Sequence, residues 1–130
     1  MRGRKPKSMK NDNKAVVSHL QPPRWLSKDA AAEWRRVMPI LNERKILTEA
    51  DIGGLENYCI AIGLVREMER NIQDQGAIIF HDGMPKRNPA VGIQADAMTR
   101  ARLLAAELGL TPVSRSRASV GAADDDTLLD

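Results

Sequence analysis

The side chains able to act as nucleophiles or metal ligands stand apart from one another in this chain. His19 lies in the N-terminal segment and His81 beside an Asp82-Gly83 turn, and neither has a second nitrogen or sulfur at metal-ligand spacing. Cys59 is the only cysteine, which excludes an internal disulfide and a cysteine-based zinc finger. It falls on an apolar stripe, where a buried small hydrophobe is expected rather than a reactive thiol. His81-Asp82 reads as a turn pair, not as half of a nuclease site. Glu67 and Glu69 belong to a helix surface, and no Gly-x-x-x-x-Gly-Lys run is present to cradle a nucleotide phosphate. The expectation is a protein without catalysis, metal or cofactor.

What remains is positive charge. The N-terminal segment carries Arg2, Arg4, Lys5, Lys7, Lys10, Lys14 and Arg24 against the single acid Asp12. Its opening, Arg2-Gly3-Arg4-Lys5-Pro6-Lys7, is similar to the short arginine–glycine arms that lie in DNA minor grooves, where the narrow walls concentrate negative potential. Arg35, Arg36, Lys86 and Arg87 are secondary DNA candidates, on polar faces or loops where a cation can reach phosphate. The other end has the opposite sign: Asp124, Asp125, Asp126 and Asp130 surround Leu128-Leu129. Since the whole chain is only +3, the middle is close to balanced. Four carboxylates repel a phosphate backbone, so three readings of this tail stay open: a solvating, disordered end without function, a segment that docks on a basic, grooved protein partner, or a shield for the arm.

These residues must be positioned by helices. Aromatics are only 3% of the 130 residues, too few for a large β-sandwich, and no run approaches the ~20 apolar residues of a membrane span. Gln21-Pro22-Pro23 closes a basic arm over residues 1–24, which lacks apolar periodicity. Ser27 is placed to cap a first helix, with Asp29 in its first turn and a stripe of Ala30, Trp34, Val37, Met38 and Leu41. Pro39 is expected to interrupt and kink it. Thr48 and Asp51 form a capping-box variant at the start of a second helix, which runs to Gln75 before the Gly76 stop. Ile52, Leu55, Cys59, Ile62, Val65, Met68 and Ile72 make its stripe. Gly53 and Gly54 within it mark either a close backbone approach or a bend.

A change of period over Ala77–Lys86 predicts a β-hairpin turning at Asp82-Gly83. Asn88-Pro89 then starts a third helix that stops at Gly109 and offers Ala90, Ala97, Ala101, Leu104, Ala105 and Leu108 on one face. Thr111-Pro112 opens a short turn with Arg115 and Arg117. The first two helices are not expected to be a DNA-reading helix-turn-helix, because Glu49, Asp51 and Glu56 crowd the start of the second and would repel phosphate. A mainly α fold follows: a long αα-hairpin plus a third helix, a small β-hairpin insertion, a disordered basic arm and an acidic tail over residues 118–130. The second helix outruns the third, so Leu55, Ile62, Val65, Met68 and Ile72 are expected to contact neighbouring copies.

The motifs occur in an order that resembles one family of tailed-phage terminase small subunits. They are the Arg-Gly-Arg-Lys-Pro start, Trp34, Leu47-Thr48-Glu49-Ala50-Asp51, Tyr58-Cys59, Gly76, Asn88-Pro89-Ala90 and the stretch Leu108-Gly109-Leu110-Thr111-Pro112-Val113-Ser114-Arg115. The resemblance spans Arg2 to Arg117; Gly53-Gly54, Ile78-Ile79-Phe80 and the tail after Ser119 are individual to this chain. It implies a non-enzymatic packaging factor in the host cytoplasm. Such a factor forms a homo-oligomeric ring, recognises double-stranded viral DNA at its packaging start and delivers it to a large terminase bearing the ATPase and nuclease. The alternatives from the residues are a DNA-binding transcriptional regulator of phage or bacterial origin, and an oligomeric adaptor whose arm never touches DNA. All of residues 25–117 would form the oligomerising, DNA-contacting body.

Overall fold

The computed structural model describes residues 20–44 and 47–112. Three helices and one β-hairpin follow in chain order: α1 (Lys28–Arg44), a 3-10 turn (Glu49–Asp51), α2 (Ile52–Gln75), β1 (Ile78–His81), β2 (Met84–Arg87) and α3 (Pro89–Glu107). The chain is mainly helical, as the periodicities predict. The arm residues Arg2 to Lys14, His19, Arg115, Arg117 and the acidic tail lie outside the described residues.

Side chains satisfy backbone donors at the starts of α1, of the 3-10 turn that leads into α2, and of α3. Ser27 Oγ accepts the Ala30 N–H at 3.1 Å, and the Asp51 carboxylate accepts the Thr48 backbone N–H at 2.9 Å. Asn88 does most. Its carbonyl oxygen accepts Ala90 N–H at 2.9 Å while its amide donates to Asn71 Oδ1 and to the Gly76 carbonyl, so one buried side chain ties α2, the hairpin base and α3 together. Pro39 corrects one expectation. It sits inside α1, which continues to Arg44, because the prolyl ring faces solvent while Met38 and Leu41 on either side are held in the core.

α2 is the central element. α1 runs antiparallel to it, since Asp29 meets Arg70 and Glu33 meets Arg66, and α3 runs antiparallel on another side, since Asn88 meets Asn71 and Gln94 reaches the Val65 carbonyl. The core lies between them: Trp34, Val37 and Leu41 from α1, Leu55, Tyr58 and Cys59 from α2, Ala101 from α3 and Leu108 at its C-cap. Arg44 closes the far end by donating to the Gly109 carbonyl at 2.7 Å.

The close backbone approach occurs at Gly63 rather than at Gly53-Gly54. A Cβ at Gly63 would stand 2.9 Å from the Ala30 nitrogen, whereas neither of the other two has an atom within 4 Å of that position. α1 therefore crosses α2 against a bare backbone. The hairpin turns through Asp82 (φ 54°) and Gly83 (φ 79°), two left-handed residues that match strand twist. Ile78 pairs with Arg87 and Phe80 with Pro85 across it.

Candidate nucleic-acid interface

The apolar stripe of α1 contains one charged residue, Glu33, and it is fully buried. A lone buried carboxylate would cost several kcal/mol. Here both of its oxygens are saturated: Arg36 donates to Oε1 at 2.9 Å and to Oε2 at 2.7 Å, Arg66 donates to Oε1 at 2.9 Å, and the Tyr58 hydroxyl donates to Oε2 at 2.6 Å. Burial pushes the Glu33 carboxyl up, but the hydrogen bonds from Arg36, Tyr58 and Arg66 outweigh it and hold the group below its ordinary value. Burial, then the Glu33 hydrogen bond, pushes the Tyr58 phenol up to about 12. Burial first, then the Glu33 charge, likewise raises Cys59 to about 12, so this thiol is inert at neutral pH.

Two guanidinium groups share this single carboxylate, which leaves one net positive charge at the α1–α2 surface. Both remain solvent-accessible, with the Arg36 and Arg66 side chains 58% and 41% exposed. One turn along, Arg70 grips Asp29 through both carboxylate oxygens, and that hydrogen bond holds Asp29 below its usual range. Arg66 and Arg70, one turn apart on α2, thus present two planar guanidinium groups whose positions are fixed by carboxylates of α1. Fixed guanidinium forks suit phosphate better than flexible ammonium groups.

Arg35, next to Arg36 in sequence but about 100° round the helix from it, projects from a different flank of α1. It is exposed, forms no ion pair among the described residues, and lines a cavity of about 260 Å³ with Leu20, Pro22, Trp34 and Pro39. Trp34 Nε1 donates to the Leu20 carbonyl at 3.2 Å. The described end of the expected arm, from Leu20, thus packs on α1 near Arg35. Arg36, expected as a free cation, is committed to Glu33 on its inner side. Lys86 and Arg87 are exposed on β2, at the opposite end of α2 from its capping turn. His81 and Asp82 are 3.6 Å apart in an exposed turn.

Of the residues expected to contact neighbouring copies, Leu55 alone is wholly committed inside the protomer. Leu55 is wholly buried in the protomer's own core and has no surface left to offer a neighbour. Ile62 packs against that core, and Val65, Met68 and Ile72 are half-buried. The stripe packs in part on α1 and α3, and Ile62 and Val65 also line an open cleft of about 270 Å³ with Met98 and Ala105. Large exposed apolar residues sit elsewhere, at Ile60, Ile93, Leu103 and on the hairpin.

Glu33, Arg66 and Arg70 are the residues that sequence reasoning missed. The readable signal was a carboxylate on the apolar stripe, three residues from both Ala30 and Arg36. Among the described residues no helix is long and apolar enough to cross a membrane, and no cluster of three His, Cys, Asp or Glu could hold a metal ion. The family model described as phage terminase, small subunit, matches residues 30–125. No curated protein and no solved structure matches the chain.

Proposed function

This chain belongs to the phage terminase small-subunit family, and from that premise we propose that it initiates genome packaging as a non-enzymatic DNA-binding factor. In this reading it assembles as a homo-oligomeric ring in the host cytoplasm, engages double-stranded viral DNA and hands it to the large terminase. The observation that supports the DNA contact is the pair of solvent-accessible guanidinium groups, Arg36 and Arg66, that Glu33 fixes at the α1–α2 surface with one net positive charge; exposed Arg35, without an ion pair among the described residues, adds a cation on another flank of α1. The arm residues Arg2, Arg4, Lys5, Lys7, Lys10 and Lys14 extend that patch by composition. Phosphates binding there would displace counterions.

The test is equilibrium binding of the full chain to duplex DNA over a salt series. Log affinity is expected to fall linearly with log salt, with a slope set by the number of phosphates neutralised. Binding that is absent at low salt, or independent of salt, rules out this reading.

A further inference from the structure

Besides Trp25 and Met98, the described residues leave apolar side chains exposed on two features. The first is the β-hairpin. Ile78 and Phe80 share one face of it with their cross-strand partners Arg87 and Pro85, and Phe80 is 71% exposed. The second is a groove of about 550 Å³ between α2 and α3, walled by Ile60, Leu64, Ile93 and Leu103, of which Leu103 is 54% exposed. Apolar surface of this size is costly to leave in water and marks an interaction site.

We propose that the hairpin of one copy seats in the α2–α3 groove of the next, which makes the subunit contact head-to-tail. The inference rests on the oligomeric reading given above and specifies its interface. Charge favours this occupant. The groove carries Asp96 and Glu107 against Arg100, whereas the hairpin carries Lys86 and Arg87 against Asp82, and none of these except Asp82 forms an ion pair among the described residues. Size agrees as well. The groove extends along α3 from Ile93 to Glu107, roughly 20 Å at the helical rise, and a four-residue strand spans roughly 13 Å.

A chain cannot fill its own groove. Its hairpin joins the end of α2 to the start of α3, between Gly76 and Asn88, whereas the groove runs from Ile93 away from that junction. Since hairpin and groove are different patches, the contact is heterologous and closes into a ring when the rotation per copy divides a full turn. A hairpin devoted to DNA would have little use for Ile78 and Phe80 on the face of Arg87. Arg87, on that face, therefore serves the subunit boundary, while Lys86 lies on the other face opposite Ile79.

The experiment uses full-length chains carrying Phe80→Asp or Leu103→Asp, both at exposed positions, with far-UV dichroism to verify folding and light scattering for mass. Each variant alone is expected to fall to the 14.4 kDa of one chain. Mixed, they are expected to form a one-to-one dimer and stop there, because one intact hairpin still meets one intact groove. A second measurement does not depend on loss: a chain with both Phe80→Cys and Leu103→Cys, treated with a short bis-maleimide, should give a ladder of covalent oligomers, since Cys59 is buried. A multimeric wild type whose mass survives both substitutions overturns this interface and leaves the oligomeric reading standing. A monomeric wild type overturns both. Phe80→Asp that keeps the mass but weakens DNA binding overturns the interface in favour of DNA as the hairpin's partner.

Discussion

The Tyr58 hydroxyl donates to the Glu33 carboxylate across 2.6 Å, joining α2 to α1 inside the core. Glu33 accepts from Arg36 and Arg66 as well, so removing different members of the group has different consequences. Tyr58→Phe deletes one donor to a charge that keeps three others, and should cost about 1.5–3 kcal/mol. Glu33→Ala leaves two guanidinium groups facing each other without a counter-charge over a cavity, and should cost roughly 3–5 kcal/mol. Urea denaturation with a common slope measures both. Equal losses for the two variants would mean that the arginines contribute little.

The same group makes acid stability predictable. The Glu33 carboxyl is held below its ordinary value of 4.5 in the folded chain, so the unfolded chain binds its proton more tightly. The stabilisation is complete above that value and is lost as pH falls through the depressed folded value. Asp29 acts in the same direction, but its pair with Arg70 is exposed and solvent screening makes its share small. Thermal melts of Glu33→Gln between pH 6 and pH 3 should show a shallower decline than wild type. A parallel decline would assign the acid sensitivity to other carboxylates.

Glycine substitutions separate close approach from open helix. Gly63→Ala places a Cβ 2.9 Å from the backbone nitrogen of Ala30, and neither backbone can give way cheaply. A loss of about 1–3 kcal/mol is expected from such overpacking. Gly53→Ala and Gly54→Ala meet open space within α2 and should each gain about 0.4–1 kcal/mol by restricting the unfolded chain. The three melting temperatures, read against wild type, decide it.

The fold was legible where its causes are local. Ser27, Thr48-Asp51, Asn88-Pro89, Gly76 and Gly109 each act on backbone groups within a few residues, and each lies where the chain changes direction. What was not legible depends on distant partners. Glu33 looks misplaced on an apolar stripe until Arg66, far along the chain, is brought against it. Gly63 is unremarkable until α1 crosses it. The α2 stripe reads equally well as a face for a neighbour or for α1 and α3, because periodicity reports burial and not what does the burying. The cations of the site were half visible: Arg35 and Arg36 stand out by exposure, while Arg66 and Arg70 need the α1–α2 contact to join them.

The arm and the body can be separated as DNA contacts. On the proposed reading, the arm's cations add affinity through counterion release, and removing them flattens the salt slope. The body supplies Arg35 and the pair Arg36 and Arg66, whose positions are set by Trp34 packing and by Glu33. Deleting residues 2–14 should weaken duplex binding and reduce the steepness of log affinity against log salt, without changing oligomer mass. Arg35→Ala is the cleaner probe of the body, since it breaks no ion pair and should lower the slope by about one phosphate contact. Arg36→Ala also weakens the Glu33 group, so a fall in DNA affinity there must be read beside its melting temperature. If the truncated chain keeps full affinity and slope while Arg35→Ala loses both, the body alone holds the DNA. If Arg35→Ala changes neither, the arginines of the α1–α2 surface are a structural feature and the contact lies in the arm.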